Sequence, residues 1–333
     1  GRIGGEKSMA ALRGFKADDA ELTRIIQQSV LMIYRNLSRA DESSIAAGTP
    51  PPSPVGVVAY CRAGLEEILA SEFPADCKPR VLGTGRVGLT LRGPLETVFQ
   101  ARTLLDFGIA LAPVQGDSAA SVARAVAGPE AMRVFKTWTR GRIRYRLEWA
   151  DAGHRRADVW KCVKEISTLR PELVNDPSDS TWEVVIHAAR GGVEIDLRPK
   201  KLPDTRFAYR LHSVYASSHP TLSAALVRIA GVKKDDVVWD PFVGSGVELA
   251  ERAIAGPYRE LHGTDSDSKA IEIARRNLAA AGVTDAHLAV ADAATCAIPR
   301  VSLIITNPPM GRRSRRGDVG PLRPGATEVP VGA

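Results

Sequence analysis

The chain has 333 residues and a formal net charge of +7; 44% of its residues are hydrophobic and 25% are charged. At about 150 residues per domain this is room for two or three domains, with enough apolar side chains for real cores. A disordered chain, a collagen and a disulfide-built scaffold are excluded.

No apolar run approaches the roughly 18 residues that a spanning helix needs. No signal-peptide pattern is present either, which points to a cytoplasmic protein with no membrane partner. The four cysteines, Cys61, Cys77, Cys162 and Cys296, form no C-x-x-C pair. The histidines show no ligand spacing, so no metal is expected. The first residue is Gly1 rather than Met, and the natural start is expected upstream of it.

Ile25, Ile26, Val30, Ile33 and Leu37 recur at helical spacing and predict one amphipathic helix over 18–39. The Ser/Pro-rich stretch after it reads as a linker that cannot pack, which makes 1–54 a helix and linker. Strand 55–60, helix 63–73, hairpin 80–91, helix 94–107 and strand 109–114 follow. That order, β-α-β-β-α-β, is the ferredoxin-like pattern. Gly83, Gly85 and Gly88 fit G-x-G-x-x-G, but a strand rather than a helix follows them, so they read as hairpin glycines. A second α+β block holds strand 142–149, helix 155–170 and strands 182–188 and 192–199, and closes the region 55–205.

From residue 220 the pattern is doubly wound α/β. Helix 220–231, strand 235–240, helix 247–255, strand 260–265, helix 267–282 and strands 286–292 and 301–306 follow in turn. This implies a parallel sheet, within 206–310, that takes ligands at its strand carboxyl ends.

The positive charge is uneven. Residues 131–210 hold 17 Lys/Arg against 11 Asp/Glu, a net of +6, and the tail 311–333 holds five Arg against two acids, a net of +3. A basic block in a mildly acidic remainder suggests a surface for a polyanion, with structured RNA as the partner. The candidate contacts are Arg133, Lys136, Arg140, Arg142, Arg144, Arg146, Arg155, Arg156, Lys161, Lys164, Lys200 and Lys201. Arg142, Arg144 and Arg146 share one face of a strand because the strand period is two. Three like charges there make sense facing phosphate.

The chemistry gathers at strand ends. Asp240, Pro241, Phe242, Gly244, Ser245 and Gly246 lie between a strand and a helix, where glycines let the backbone approach a nucleotide-like ligand. Asp265 stands 21 positions after Gly244, at the end of the next strand, beside Ser266. That spacing suits a carboxylate accepting from ribose hydroxyls. Asp292, beside Ala293, ends the following strand and suits an adenine amine. The three acids make a cup for an adenosine-bearing ligand. Asn307, Pro308, Pro309 and Met310 then form a rigid turn rich in acceptors. The Asn307 side-chain oxygen and the Pro308 carbonyl can hold an exocyclic amine so that its nitrogen points at an electrophilic methyl. A stacked base has to flip out to reach that turn.

D-P-F-V-G-S-G, G-T-D-S-D, A-D-A and N-P-P-M, in this order, resemble the amino-methyltransferases that use S-adenosylmethionine. The ferredoxin-like and basic blocks ahead of them resemble the THUMP-type RNA methyltransferases. The resemblance implies a Rossmann-like α/β domain behind an α+β RNA-binding region. It implies methyl transfer to an exocyclic amine in transfer or ribosomal RNA, most often N2 of guanosine. It places Asp240, Phe242, Gly244 and Gly246 at the methionine end of the cofactor, Asp265 on the ribose, Asp292 on the adenine, and Asn307 and Pro308 on the target amine. The family usually has an aromatic residue after N-P-P where this chain has Met310. The alternatives are adenine N6 in DNA or RNA, a protein glutamine amide, or a non-catalytic RNA-binding fragment. After Met310 no helical or strand periodicity remains, so 311–333 reads as an irregular basic tail and the chain as cut short or frame-shifted near Gly320.

Overall fold

The computed structural model describes residues 6–15, 19–38, 43–150 and 155–309. Two helices, α1 (Glu6–Gly14) and α2 (Ala20–Ser38), come first, followed by strand β1 (Ser43–Ile45). The next elements are β2 (Val55–Tyr60), α3 (Glu66–Ser71), β3 (Arg80–Gly83), β4 (Arg86–Leu91) and β5 (Asp106–Ala110). Then come β6 (Val114–Gln115), α4 (Ala119–Val126), α5 (Pro129–Trp138), β7 (Thr139–Gly141), β8 (Ile143–Trp149), α6 (Arg156–Leu169), β9 (Leu173–Asn175), β10 (Trp182–Ala189) and β11 (Gly192–Pro199). The last unit holds α7 (Pro220–Ala230), β12 (Val237–Asp240), α8 (Val247–Ala255), β13 (Glu260–Asp265), α9 (Ser268–Ala280), β14 (His287–Val290) and β15 (Leu303–Ile304).

The ferredoxin-like order is present: β3-β4-β2-β5, antiparallel throughout. The glycine decoy is the β3–β4 hairpin, with Gly85 at φ +69 in its turn. The two α+β blocks do not form separate sheets. β5 pairs with β11, so one sheet runs β3-β4-β2-β5-β11-β10-β8-β9, with β6 beside β11. A Cβ on Gly108 of β5 would sit 2.8 Å from the Cβ of Asp196 on β11, so the seam needs a glycine there. One face of this sheet buries Phe107, Trp138, Tyr145, Trp182, Ile195 and Leu197. Phe135 of α5 meets Trp182 edge-on, with centroids 5.4 Å apart.

Two sequence expectations change, and one stretch without a predicted element is helical. Residues 94–107 are not an α-helix but a 3-10 helix over Leu95–Gln100, followed by strand β5. Its buried residues are Leu95 and Val98, three apart, which is the 3-10 repeat rather than the α repeat. The Ser/Pro-rich stretch does pack: β1 pairs with β7, and the Trp138 indole donates to the Thr49 carbonyl at 2.7 Å. Helices α4 and α5 lie in a stretch with no predicted element. Their signals were local: Ser118 caps α4 by accepting from Ser121 N, and Gly128-Pro129 starts α5.

The second sheet is parallel, in the order β14-β13-β12-β15. Its order reverses at β12, and in doubly wound sheets that reversal opens a crevice at the strand carboxyl ends. The two sheets are tied by a charged clamp. Arg102 donates to both oxygens of Glu251 on α8, at 2.7 and 2.8 Å, and to the Arg206 carbonyl at 2.9 Å. The Tyr209 hydroxyl donates to the same carboxylate at 2.6 Å. Arg228 pairs with Glu72, which also accepts from the backbone N of Arg102 and Thr103. Both guanidiniums of Arg102 and Arg206 stack on Phe207.

The Glu251 side chain is 1% exposed. R102A leaves it buried without its cation, and such a loss costs about 3–5 kcal/mol. R102A is therefore expected to lower the urea midpoint clearly, read by circular dichroism. R102K, which restores the charge without the two-pronged geometry, is expected to recover only part of it.

Candidate cofactor and target-base site

The site forms where the sheet order reverses. β12 delivers Asp240, fully buried, whose Oδ1 accepts from Phe242 N at 3.1 Å. The chain then turns through Pro241, Phe242, Gly244, Ser245 and Gly246 into α8. Gly244 at φ +51 and Gly246 at φ +77 occupy the left-handed region, where a side chain is strained. A Cβ on Gly246 would also come within 3.3 Å of Ala274 on α9. The glycines thus let the turn lie flat against α9, with the first amides of α8 following it.

Asp265 ends β13, half-buried. Its Oδ2 accepts from Gly244 N at 3.0 Å and its Oδ1 from Asp267 N at 3.0 Å. The acid 21 residues downstream therefore touches the glycine turn directly. Ser266 is exposed beside it. Asp265 pairs with Val290 across the parallel ladder, and Ala291 N donates to the Asp265 carbonyl at 3.0 Å. That register carries Asp292 and Ala293 to the same edge of the sheet. Asp292 is exposed and its Oδ1 accepts from Ala294 N at 2.9 Å.

On the other side of β12, Ile305 N donates to the Trp239 carbonyl at 3.2 Å and extends the β15 ladder. Asn307 follows two residues later, exposed, with Pro308 exposed and Pro309 half-buried. Met310 lies outside the described residues. The Asn307 Nδ2 donates to the Ala216 carbonyl at 3.3 Å. The cofactor candidates and the Asn-Pro-Pro turn are thus brought to one crevice.

The segment 212–217 escaped sequence reading. Asn277 of α9, fully buried, accepts from His212 N at 3.1 Å and donates to the carbonyls of His212 and Ser245, each at 2.8 Å. Ser217 and Ser245 share a hydroxyl hydrogen bond of 2.6 Å. The signal was an asparagine on the apolar face of α9, alongside Ala270, Ile271, Ala274 and Leu278.

The basic residues divide. Arg133 and Lys136 on α5, Arg140 on β7, and Arg156, Lys161 and Lys164 on and around α6 are exposed. Arg142 is exposed, 5.9 Å over the Tyr34 ring, and Arg155 is exposed, 3.6 Å from Asp117. The predicted arginine stripe of three does not form: Arg144 and Arg146 alternate along β8, but Arg142 stands at the bend before it. Arg144 is 2% exposed and paired with Asp179, which also takes Lys201. Arg146 meets Glu183, its cross-strand neighbour, at 2.9 Å, and Glu148 as well. Lys200 lies 3.5 Å from the same Glu183. Acids of β8, β10 and the turn before β10 neutralise these two arginines, as opposite charges across a ladder do.

Burial pushes the Asp240 carboxyl well above the usual carboxylate range, and the Glu248 carboxylate adds to the effect. The Thr306 hydroxyl and the Phe242 amide oppose it. An acid raised in the folded state favours its protonated form there. It stabilises fully below its unfolded pKa and loses that contribution as pH rises. D240N, neutral at every pH, is therefore expected to raise the thermal midpoint around pH 7.5, with the gain shrinking toward about pH 4. Differential scanning calorimetry across that range checks it.

Residues 208–320 match the UPF0020 family, described as an RMKL-like methyltransferase domain. A curated tRNA (guanine(10)-N2)-dimethyltransferase of Methanothermobacter thermautotrophicus is 32% identical over 149 residues, covering 44% of this chain and 41% of that protein. A tRNA (guanine(6)-N2)-methyltransferase of Thermus thermophilus is 33% identical over 128 residues, covering 38% of this chain and 37% of that protein. The chain thus aligns with less than half the length of either relative. The crystal structure of TrmN from Thermus thermophilus superposes with a TM-score of 0.63 at 22% identity, over 78% of this chain and 80% of that one. That likeness extends across both sheets and shows the fold. The family match falls on the unit with the parallel sheet.

Proposed function

We propose that this chain transfers a methyl group from S-adenosylmethionine to an exocyclic amine of a base in structured RNA, and that the base is guanine in tRNA, methylated at N2. The observation that carries this is the meeting of the glycine turn, Asp265 and Asn307 at the one reversal of the parallel sheet. Both curated relatives are named as tRNA guanine-N2 methyltransferases, which supports the base and the RNA.

The residues fit the cofactor by their chemistry. Turn amides leading into α8 suit its carboxylate. Asp265 is an acceptor for ribose hydroxyls, and Asp292 an acceptor for the adenine amine. Among the described residues the buried Asp240 Oδ2 has no hydrogen-bond partner, which leaves it for a polar group of the ligand. When bound, S-adenosylmethionine supplies an electrophilic methyl group. The protein does the rest by placement.

Asn307 is oriented for its part. Its Nδ2 is used on the Ala216 carbonyl, which leaves Oδ1 as the acceptor. With the Pro308 carbonyl it receives the two hydrogens of the target amine and turns the nitrogen lone pair toward the methyl. The prolines keep this pair of acceptors from collapsing into a helix. Phosphate contacts come from α5 and α6, where the exposed cations lie. Among the described residues no helix is long and apolar enough to cross a membrane.

The test is calorimetric titration with S-adenosylmethionine and nucleoside analysis of treated tRNA. The chain is expected to bind the cofactor, with D265A weaker by about 10- to 100-fold. N307A is expected to bind it unchanged and to transfer methyl roughly 100-fold more slowly. A folded chain that binds no cofactor overturns the proposal, and methyl found only on adenine redirects it to N6. The affinity for tRNA should also fall steeply between about 50 and 200 mM salt. The double charge reversal R133E/K136E is expected to flatten that dependence, measured by filter binding.

A further inference from the structure

We infer that Tyr215 is the aromatic platform on which the flipped target base stacks, a role that rests on the methyltransferase reading above. A base turned out of its helix loses its stacking partners, and pockets that accept it restore them with aromatic or apolar walls. Asn307, Pro308 and Pro309 offer acceptors but no ring. Phe242 is half-buried in the glycine turn, and an exposed ring stands in the segment stapled across the site.

That segment is fixed at four points. The His212 backbone is clamped by Asn277. Val214 lies 3.3 Å from the position a Cβ on Gly244 would take, against the cofactor turn. The Ala216 carbonyl accepts from Asn307, on the target-amine turn. Ser217 bonds Ser245. Tyr215 stands between a residue on the cofactor turn and a residue on the amine turn, so its side chain starts at the mouth between them.

Ala216 adopts φ +58, a left-handed conformation that a non-glycine residue takes at a cost. The turn brings its carbonyl to Asn307. Tyr215 itself is 73% exposed, the highest value among the exposed large hydrophobic side chains described. It contributes no burial to the fold, while both neighbours are pinned to functional residues. A solvent-facing ring on a segment pinned to both turns is available as a stacking surface. It accepts any base by its π-face, so choice of base is left to the acceptors of the Asn-Pro turn.

The test uses Y215A and Y215F in the full chain. Loss of base–aromatic stacking lowers kcat/KM for tRNA methylation by about 5- to 150-fold in Y215A, and Y215F stays close to the parent. Cofactor affinity, read by calorimetry, is expected to be unchanged in both. A single-stranded RNA hexamer carrying one 2-aminopurine supplies a readout without turnover. Its fluorescence is expected to be quenched by the parent and by Y215F, and not by Y215A. Equal quenching by Y215A, no quenching by the parent, or a loss of cofactor binding in Y215A that marks Tyr215 as a structural prop, each overturns the inference. A parent chain that quenches the hexamer but binds no cofactor sinks the methyltransferase reading and leaves the stacking result standing.

Discussion

The buried carboxylate of Glu251 is the fixed point of this molecule. It sits on α8, the helix that begins at the glycine turn, and it is gripped by Arg102 from the larger sheet and by Tyr209 from the segment between the sheets. A buried ion pair adds little net stability, because desolvation cancels most of the attraction. Its value here is positional. A two-pronged guanidinium–carboxylate contact has one good geometry, so the helix that presents the cofactor turn is held at a set angle to the sheet that carries the basic helices.

Strand β12 shows how neighbouring buried acids are made to differ. Asp236 stands just before it and Asp240 ends it, and both are buried. Burial works against the charge of each. At Asp236 the Arg252 guanidinium at 2.9 Å, the Lys233 amide and the Ser302 hydroxyl win, and its carboxyl is held below the usual range. At Asp240 burial is joined by repulsion from Glu248, and the carboxyl is pushed up. The charged acid anchors the base of the strand to α8. The other, whose charge burial disfavours, shapes the turn at its tip by accepting from the Phe242 amide.

How much was legible in the sequence follows from the range of the forces involved. The glycine turn, Asp265 and the Asn-Pro-Pro turn are each set by local backbone demands, and a spacing suffices to find them. The 3-10 helix at Leu95–Gln100 was misread because apolar spacing was taken for an α repeat although its period was three. The union of two α+β blocks in one sheet depends on Gly108 meeting Asp196, residues far apart in the chain. The pairing of Arg144 with Asp179 and of Arg146 with Glu183 is likewise a matter of strand order. Asn277 was visible as a polar residue on an apolar face, but its partners at His212 and Ser245 were not.

On the outer face of the large sheet the cations are taken up by acids of the sheet. Arg198 lies 4.2 Å over the Tyr60 ring and 3.2 Å from Asp106. Asp196 accepts from Tyr60 and lies 2.9 Å from His187, and Arg86 pairs with Glu194 at 2.6 Å. Burial and the Asp196 carboxylate together push the Tyr60 hydroxyl far up its scale, so it stays a donor. Farther along the same face, Arg146 is engaged by Glu183. Nearly every cation on this face is spent on a carboxylate of the sheet itself. Phosphate would have to displace Asp196 and Glu183, both buried, and leave them without their partners, at the cost of an unpaired charge. The exposed cations on α5 and α6 carry no such debt. The basic excess of residues 131–210 is therefore presented by the helices, while the sheet uses its own charges to hold two blocks together as one.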